Sequence, residues 1–307
     1  ILSFTYSFSN KNIFLSKKLK NNPYTLRVIS SNISLNRFYE NVDTKNVITE
    51  LINLSTPDPE KKIFFLWPEG IIPDTYQDQL ILYNNLFKKN FTKNHLIGLG
   101  ITNRLENKKK YEFLNSFSVF DNDLNLIKSY NKVNLVPFGE FLPFENFLEI
   151  LGLKKITYGY SSFSPGEGDS IIKFKFDSQN LNILPLICYE IIFPNITEKS
   201  NNKFDFILNI SEDAWFGESI GPYQHFSKAI FRAIESKTFT IRSANKGISA
   251  FINPSGKVLK SLDTSEAGNI EMSLPIIKKD EEGYRKSLIF LLLLIKFIFK
   301  FFILKKF

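Results

Sequence analysis

The sequence predicts one large α/β domain, and three observations carry that expectation. Short apolar runs bounded by turn residues alternate with stretches of helical spacing, no internal repeat or long linker interrupts them, and 307 residues suffice for a sizeable core. The chain is 43% hydrophobic and 23% charged, a globular balance that argues against wholesale disorder. Its net charge of +8 would suit an anionic partner. The lysines are spread along the chain, however, and no nucleic-acid-binding motif is present, so a solvated basic surface is expected and nucleic acid is not.

The elements follow in order. Tyr24 to Ile33 reads as a first strand and Val42 to Leu54 as an amphipathic helix. Lys62 to Trp67 (KIFFLW) is a short apolar run stopped by Pro68, as a buried strand would be. Tyr76 to Lys89 has helical spacing. Leu96 to Ile101, Glu112 to Phe120 and Leu126 to Tyr130 read as strands, the last two split by the turn residues Asp121-Asn122-Asp123. Asn182 to Cys188 and Phe204 to Ile210 are two further strands. Gly221 to Lys237 is a helix with Phe226, Ile230, Phe231 and Ile234 on one face. Phe239 to Ser243, Ile248 to Asn253 and Lys257 to Lys260 complete the pattern, the last two joined by a Pro254-Ser255-Gly256 turn.

The two ends differ from this body. The chain opens on Ile1, and residues 1–21 read as the end of an N-terminal membrane region and a linker, the remainder of which lies upstream. Residues 22–280 form the expected domain, and 285–307 a C-terminal transmembrane helix. From Ser287 to Leu304 all residues but Ser287, Lys296 and Lys300 are apolar. As a helix this stretch is about 27 Å long, near the thickness of a bilayer core. The two lysines oppose that reading, at roughly 2.5–3.5 kcal/mol each near the centre. They stand four apart on one face, where other helices or an interface can receive them. A surface amphipathic helix or a buried core helix is the competing reading. Lys305 and Lys306 point to a cytoplasmic C-terminus, with the domain on the opposite side.

Three chemically useful residues stand at strand ends. Glu69 follows KIFFLWP, Lys132 follows LIKSY, and Cys188, the single cysteine, closes LNILPLI. Singly, each has a bland reading: a helix cap, a surface lysine, a buried apolar thiol. Together they suit acyl transfer. A free thiol, with a pKa of about 8.5, is mostly protonated at neutral pH. A carboxylate in reach takes its proton as sulfur attacks a carbonyl, and an ammonium with a backbone N–H, here that of Tyr189, stabilises the oxyanion. The two histidines fit a Cys-His site poorly. His95 opens an apolar strand, and His225, in GPYQHFSKAIFRA, suits packing or a polar contact. Two His and one Cys make a zinc site improbable, and no cofactor is implied.

Glu69 in WPEGIIPD, Lys132 in YNKVNLVPFGEFLP and Cys188 in LICYEIIFP resemble the Glu-Lys-Cys triad of the nitrilase (carbon–nitrogen hydrolase) superfamily. PFGEFLP, CYE, DAWFG followed by GPYQH, and a terminal hydrophobic segment are similar, more narrowly, to the apolipoprotein N-acyltransferase family. That resemblance covers residues 24 to 305. It implies a nitrilase-type αββα sandwich with membrane helices at its two ends, in a bacterial inner membrane with the domain on the periplasmic side. It implies acyl transfer from a phospholipid, through a Cys188 thioester, to the N-terminal amine of diacylglyceryl-cysteine in an apolipoprotein. In it Glu69 is the base, Lys132 the oxyanion stabiliser and Cys188 the nucleophile. Glu140 holds the lysine and the substrate amine, while Tyr189 and Glu190 are supporting residues near the nucleophile, a plain helix cap being the alternative for Glu190. Trp215 and Phe216 lie toward substrate, although plain core aromatics are an equal alternative. Arg242, Asn245 and Gly247 resemble a structural turn. The chain departs from the family at Asn134, where His is usual, and at Glu212, where Asn is usual.

Two other readings compete. A soluble nitrilase-superfamily amidase or carbamoylase would use the same three residues and give the acyl group to water, but has no need of apolar termini. A non-catalytic membrane-tethered binding domain would not require Cys, Glu and Lys at those strand ends.

Overall fold

Among the described residues, twelve strands form two six-stranded sheets whose orders are β12-β1-β2-β3-β4-β5 and β11-β10-β9-β8-β7-β6. The computed structural model describes residues 22–107, 110–143, 162–168, 170–199, 204–275, 292 and 294–297. In the first sheet β1 (Thr25–Ser30), β2 (Ile63–Leu66) and β3 (His95–Asn107) run parallel. The strands β4 (Lys110–Phe120) and β12 (Gly268–Met272) flank them antiparallel, and β5 (Leu126–Asn131) pairs antiparallel with β4, so that it runs in the direction of the parallel centre. The second sheet repeats the plan. Its parallel centre is β7 (Gln179–Ile187), β8 (Phe206–Glu212) and β9 (Phe239–Asn245). Antiparallel β6 (Ile172–Phe176) and β10 (Ser249–Ile252) flank it, and β11 (Val258–Leu262) pairs antiparallel with β10 at the edge.

Strands buried on both faces read as continuous apolar runs, which is why IFFL of β2 and the centre of β7 lack alternation. Between the sheets, Phe64 of β2 meets Phe174 of β6 edge-on at 5.9 Å. The Ser243 hydroxyl of β9 lies 2.8 Å from the Ile29 carbonyl and 3.0 Å from that of Leu66, joining the two layers.

Helices cover the outer faces. In α1 (Thr44–Ser55), Val47, Ile48, Leu51 and Ile52 recur at helical spacing and pack on Phe65 and Trp67. The Asp43 carboxylate caps its first turn by accepting from the Lys45 N–H at 2.9 Å, worth about 1 kcal/mol. A second short helix, α2 (Asn84–Asn90), adds Phe87 to the same core. On the other sheet, α3 (Asn195–Lys199) and α4 (Gly221–Ser236) play this part, with Ala229 and Ala233 against Leu184, Leu186 and Ile207. The layers are α-β-β-α.

Three expectations are adjusted. The helix expected over Tyr76 to Lys89 begins as a 3-10 turn, Gln77–Tyr83, before becoming α2. The strand into Cys188 stops at Ile187, and Cys188 itself opens a 3-10 turn. Strands β6 and β12 were not expected. The N-terminal region 1–21 lies outside the described residues, as does the C-terminal helix over 285–307 apart from 292 and 294–297. Residues 294–297 are helical. Among the described residues no helix is long and apolar enough to cross a membrane.

Candidate active site

The functional candidates sit just past the C-terminal ends of four strands: Glu69 after β2, Lys132 after β5, Cys188 after β7 and Asp213 after β8. Ends of parallel strands are where α/β sheets usually build sites, because the loops there escape the ladder while their anchors stay rigid.

Glu69 is 7% exposed. Its Oε1 accepts from Asn115 Nδ2 at 2.7 Å, and its Oε2 accepts from the Glu212 backbone N–H at 2.9 Å. Gly100 of β3 lies beneath it. A Cβ there would come within 2.5 Å of the Glu69 Cα and 2.9 Å of the Gly70 nitrogen, so the loop seats only on a glycine.

Lys132 is 1% exposed. Its backbone N–H donates to the Asn115 carbonyl at 2.8 Å, and its carbonyl accepts from Gly166 at 2.7 Å. With the main chain clamped, Nζ lies 2.9 Å from Glu140 Oε2, 3.0 Å from Glu140 Oε1 and 3.6 Å from Glu69 Oε1. Burial pulls its pKa down, but Glu69, then Glu140 and Cys188, outweigh that and hold the ammonium above its usual range. Glu140 also folds back on its own PFGE turn, where Oε2 accepts from the Val136 N–H at 2.8 Å. Asn115 donates to Glu140 Oε1 at 2.7 Å and so ties the two carboxylates together.

Cys188 is partly exposed and stands at φ +48°, a strained left-handed conformation for a residue with a Cβ. Burial of the sulfur, and next the Glu69 charge, push the thiol up, while Lys132 opposes them. A resting thiol of this kind needs a base to react. Its elbow is held on one side by Glu190, which is fully buried. Glu190 Oε2 accepts from the Ile187 N–H at 2.9 Å. Oε1 accepts from the Tyr130 hydroxyl and the Val133 N–H at 2.9 Å, and from the Asn134 N–H at 3.0 Å. One carboxylate therefore joins the cysteine turn to the loop that carries Lys132. Burial raises its pKa against the pull of these donors. Asn134 enters here by its main chain.

Tyr189 rests edge-on against Phe193 at 5.1 Å. Trp215 and Phe216 are 42% and 41% exposed, and so are not core aromatics. Trp215 stacks on Phe38 at 5.9 Å, and Phe216 packs on the His225 ring at 5.5 Å.

Several contributors escaped the reading of the sequence. Asn115 is a buried amide inside a strand that reads FLNSFSVF, and a polar residue at an inward position is the signal that marks it. Arg37 carried no local signal. It is 2% exposed, forms an ion pair with Glu212, and donates to the Gly70 carbonyl at 3.3 Å. The unusual Glu212 thus has a cationic partner, and it also accepts from Asn245 Nδ2 at 2.9 and 3.0 Å. His225 makes the polar contact expected of it. His95 is structural, accepting from the Thr92 N–H at 3.1 Å and donating to the Asp58 carbonyl at 2.9 Å.

Two facing mixed sheets with helices outside, and a candidate site at the ends of their parallel strands, define a nitrilase-superfamily sandwich. The chain belongs to the carbon-nitrogen hydrolase family, whose model matches residues 82–276. A solved amidase from Nesterenkonia sp. has the same fold, with a TM-score of 0.58 at 15% identity over 89% of this chain and 99% of that one. Among sequence relatives, the apolipoprotein N-acyltransferase of Rickettsia prowazekii is 39% identical over 73% of this chain and 44% of its own length. That of Rhizobium leguminosarum is 33% identical over 81% of this chain and 47% of its own. The chain spans about half the length of these relatives.

Proposed function

We propose that this chain carries the catalytic domain of an apolipoprotein N-acyltransferase, moving an acyl chain from a phospholipid to the N-terminal amine of diacylglyceryl-cysteine. The observation that supports it best is the buried Glu69–Lys132–Glu140 cluster within electrostatic range of a raised thiol on a strained turn. In the first half-reaction Glu69 takes the Cys188 proton as sulfur bonds to the ester carbonyl carbon. Lys132 and the Tyr189 N–H stabilise the oxyanion. The ester C–O bond then breaks, and the lysophospholipid leaves with the proton from Glu69. In the second, the free amine attacks the thioester and gives a proton to Glu69. The amide forms, and the thiolate departs and regains that proton. Glu140 fixes Lys132 and receives the incoming amine, Glu190 holds the elbow, and Trp215 with Phe216 offers an apolar, exposed approach for acyl chains.

A lipid donor and a lipidated acceptor fit a domain tethered to the bacterial inner membrane on its periplasmic side, with residues 285–307 as one anchor. A thioester protected from water until the amine arrives separates this reading from an amidase. Incubation with phospholipid vesicles should add one acyl mass to Cys188, lost in Cys188→Ala, and a diacylglyceryl lipopeptide should remove it. Release of free fatty acid alone, with no transfer to the peptide, overturns the proposal in favour of hydrolysis.

A further inference from the structure

Behind the cysteine turn lies a buried polar relay that the acyl-transfer steps leave unused. It starts in the second sheet. Arg242 of β9 is fully buried. It donates through Nε to the Ile248 carbonyl at 3.2 Å, bonds Asn209 of β8 through Nη1, and donates through Nη2 to Asp213 Oδ2 at 2.6 Å. Asp213 Oδ1 accepts from the Ser211 hydroxyl at 2.6 Å and lies 2.9 Å from His225 Nδ1. Burial alone would raise the Asp213 carboxyl, but Arg242 and His225 outweigh it and hold it below the usual range. Gly247 packs so closely on Asp213 that a Cβ there would overlap the carboxylate. The relay ends at the site, where His225 Nε2 donates to the Cys188 backbone carbonyl at 3.1 Å.

That last bond has a consequence beyond packing. The Cys188 carbonyl and the Tyr189 N–H belong to one planar peptide unit and point in opposite directions. A donor that grips the oxygen on the α4 side therefore aims the N–H to the other side. Cys188 is at φ +48°, so its local backbone is not held there by its own preference. We propose that His225, oriented by Asp213 and Arg242, is a positioning residue that fixes the Cys188–Tyr189 peptide and thereby presents the Tyr189 N–H to the oxyanion. The role rests on the acyl-transfer reading above and adds a specific device to it.

The test separates aiming the N–H from placing the sulfur. Acylation of Cys188 by p-nitrophenyl butyrate builds an oxyanion, whereas its alkylation by iodoacetamide displaces iodide and builds none. In His225→Leu the acylation burst should slow by about 10²-fold, the usual effect of losing one oxyanion donor, while alkylation keeps the wild-type rate. His225→Gln, whose amide still donates at similar reach, should retain most of the burst. His225→Asn, too short to reach, should behave like Leu and covers the case in which the Leu protein does not fold. An unchanged burst in both donor-less variants overturns the proposal. So does a parallel fall in acylation and alkylation, which would assign His225 to holding the thiol itself. A wild-type protein that forms no acyl-enzyme with either this ester or phospholipid vesicles overturns the acyl-transfer reading, and the positioning role falls with it.

Discussion

Replacing Lys132 by Met removes an ammonium that is 1% exposed and lies within 3.6 Å of two carboxylates. Methionine fills a similar volume, so the change is chiefly electrostatic. It leaves Glu69 and Glu140 buried together, with Asn115 Nδ2 as their shared donor at 2.7 Å to each. Breaking a buried pair by deleting one partner costs about 3–5 kcal/mol, because a charge is left uncompensated. At ~2–4 °C per kcal/mol for a domain of this size, the melting temperature should fall by roughly 6–20 °C. The double variant Lys132→Met/Glu140→Gln relieves the repulsion and should recover part of that stability. It should not recover thioester formation, since the oxyanion still lacks its cation. Thermal unfolding by circular dichroism and intact-protein mass after incubation with acyl donor read the two effects separately. A loss of less than about 1 kcal/mol in the single variant, the size expected for a solvated surface pair, would refute the reasoning.

Two further outcomes follow from the surroundings of Glu69. Burial pushes Glu212 up to about 7 from 4.5 despite Arg37, so its folded form favours the proton, and that share of stability is lost as pH rises through this window. Wild type should therefore lose melting temperature relative to Glu212→Gln between about pH 5 and about pH 8, and a flat or opposite difference contradicts the assignment. Gly100→Ala forces a Cβ against the Glu69 backbone, whereas Gly98→Ala meets only the rings of Phe117 and Phe64. Each should cost about 1–3 kcal/mol, but only the first should also slow acylation, as measured by the burst of each purified protein. Equal acylation rates would show that the Glu69 loop does not depend on this seat.

The sandwich was largely legible because its parallel strands are buried on both faces and its helices on one, patterns that local sequence carries directly. KIFFLWP, LIKSY and LNILPLI announce strands, and the residues that end them, Glu69, Lys132 and Cys188, stand out by chemistry alone. Ile172–Phe176 alternates buried and exposed residues with a period of two and is readable in the same way. Strand β12 is not, since none of its residues is fully buried and its partner β1 lies some 240 residues earlier. The supports of the site share that difficulty. Asn115 meets Glu69 from 46 positions away, Arg37 reaches Glu212 across 175, and Ser31 reaches Asn245 across 214. His225 touches the Cys188 carbonyl across 37. By itself the sequence determined the elements and the reactive side chains, because periodicity and residue chemistry are local properties. Only the tertiary structure decided which buried charges face one another and which carbonyl a ring nitrogen grips, because those pairings exist only when distant strand ends are brought together.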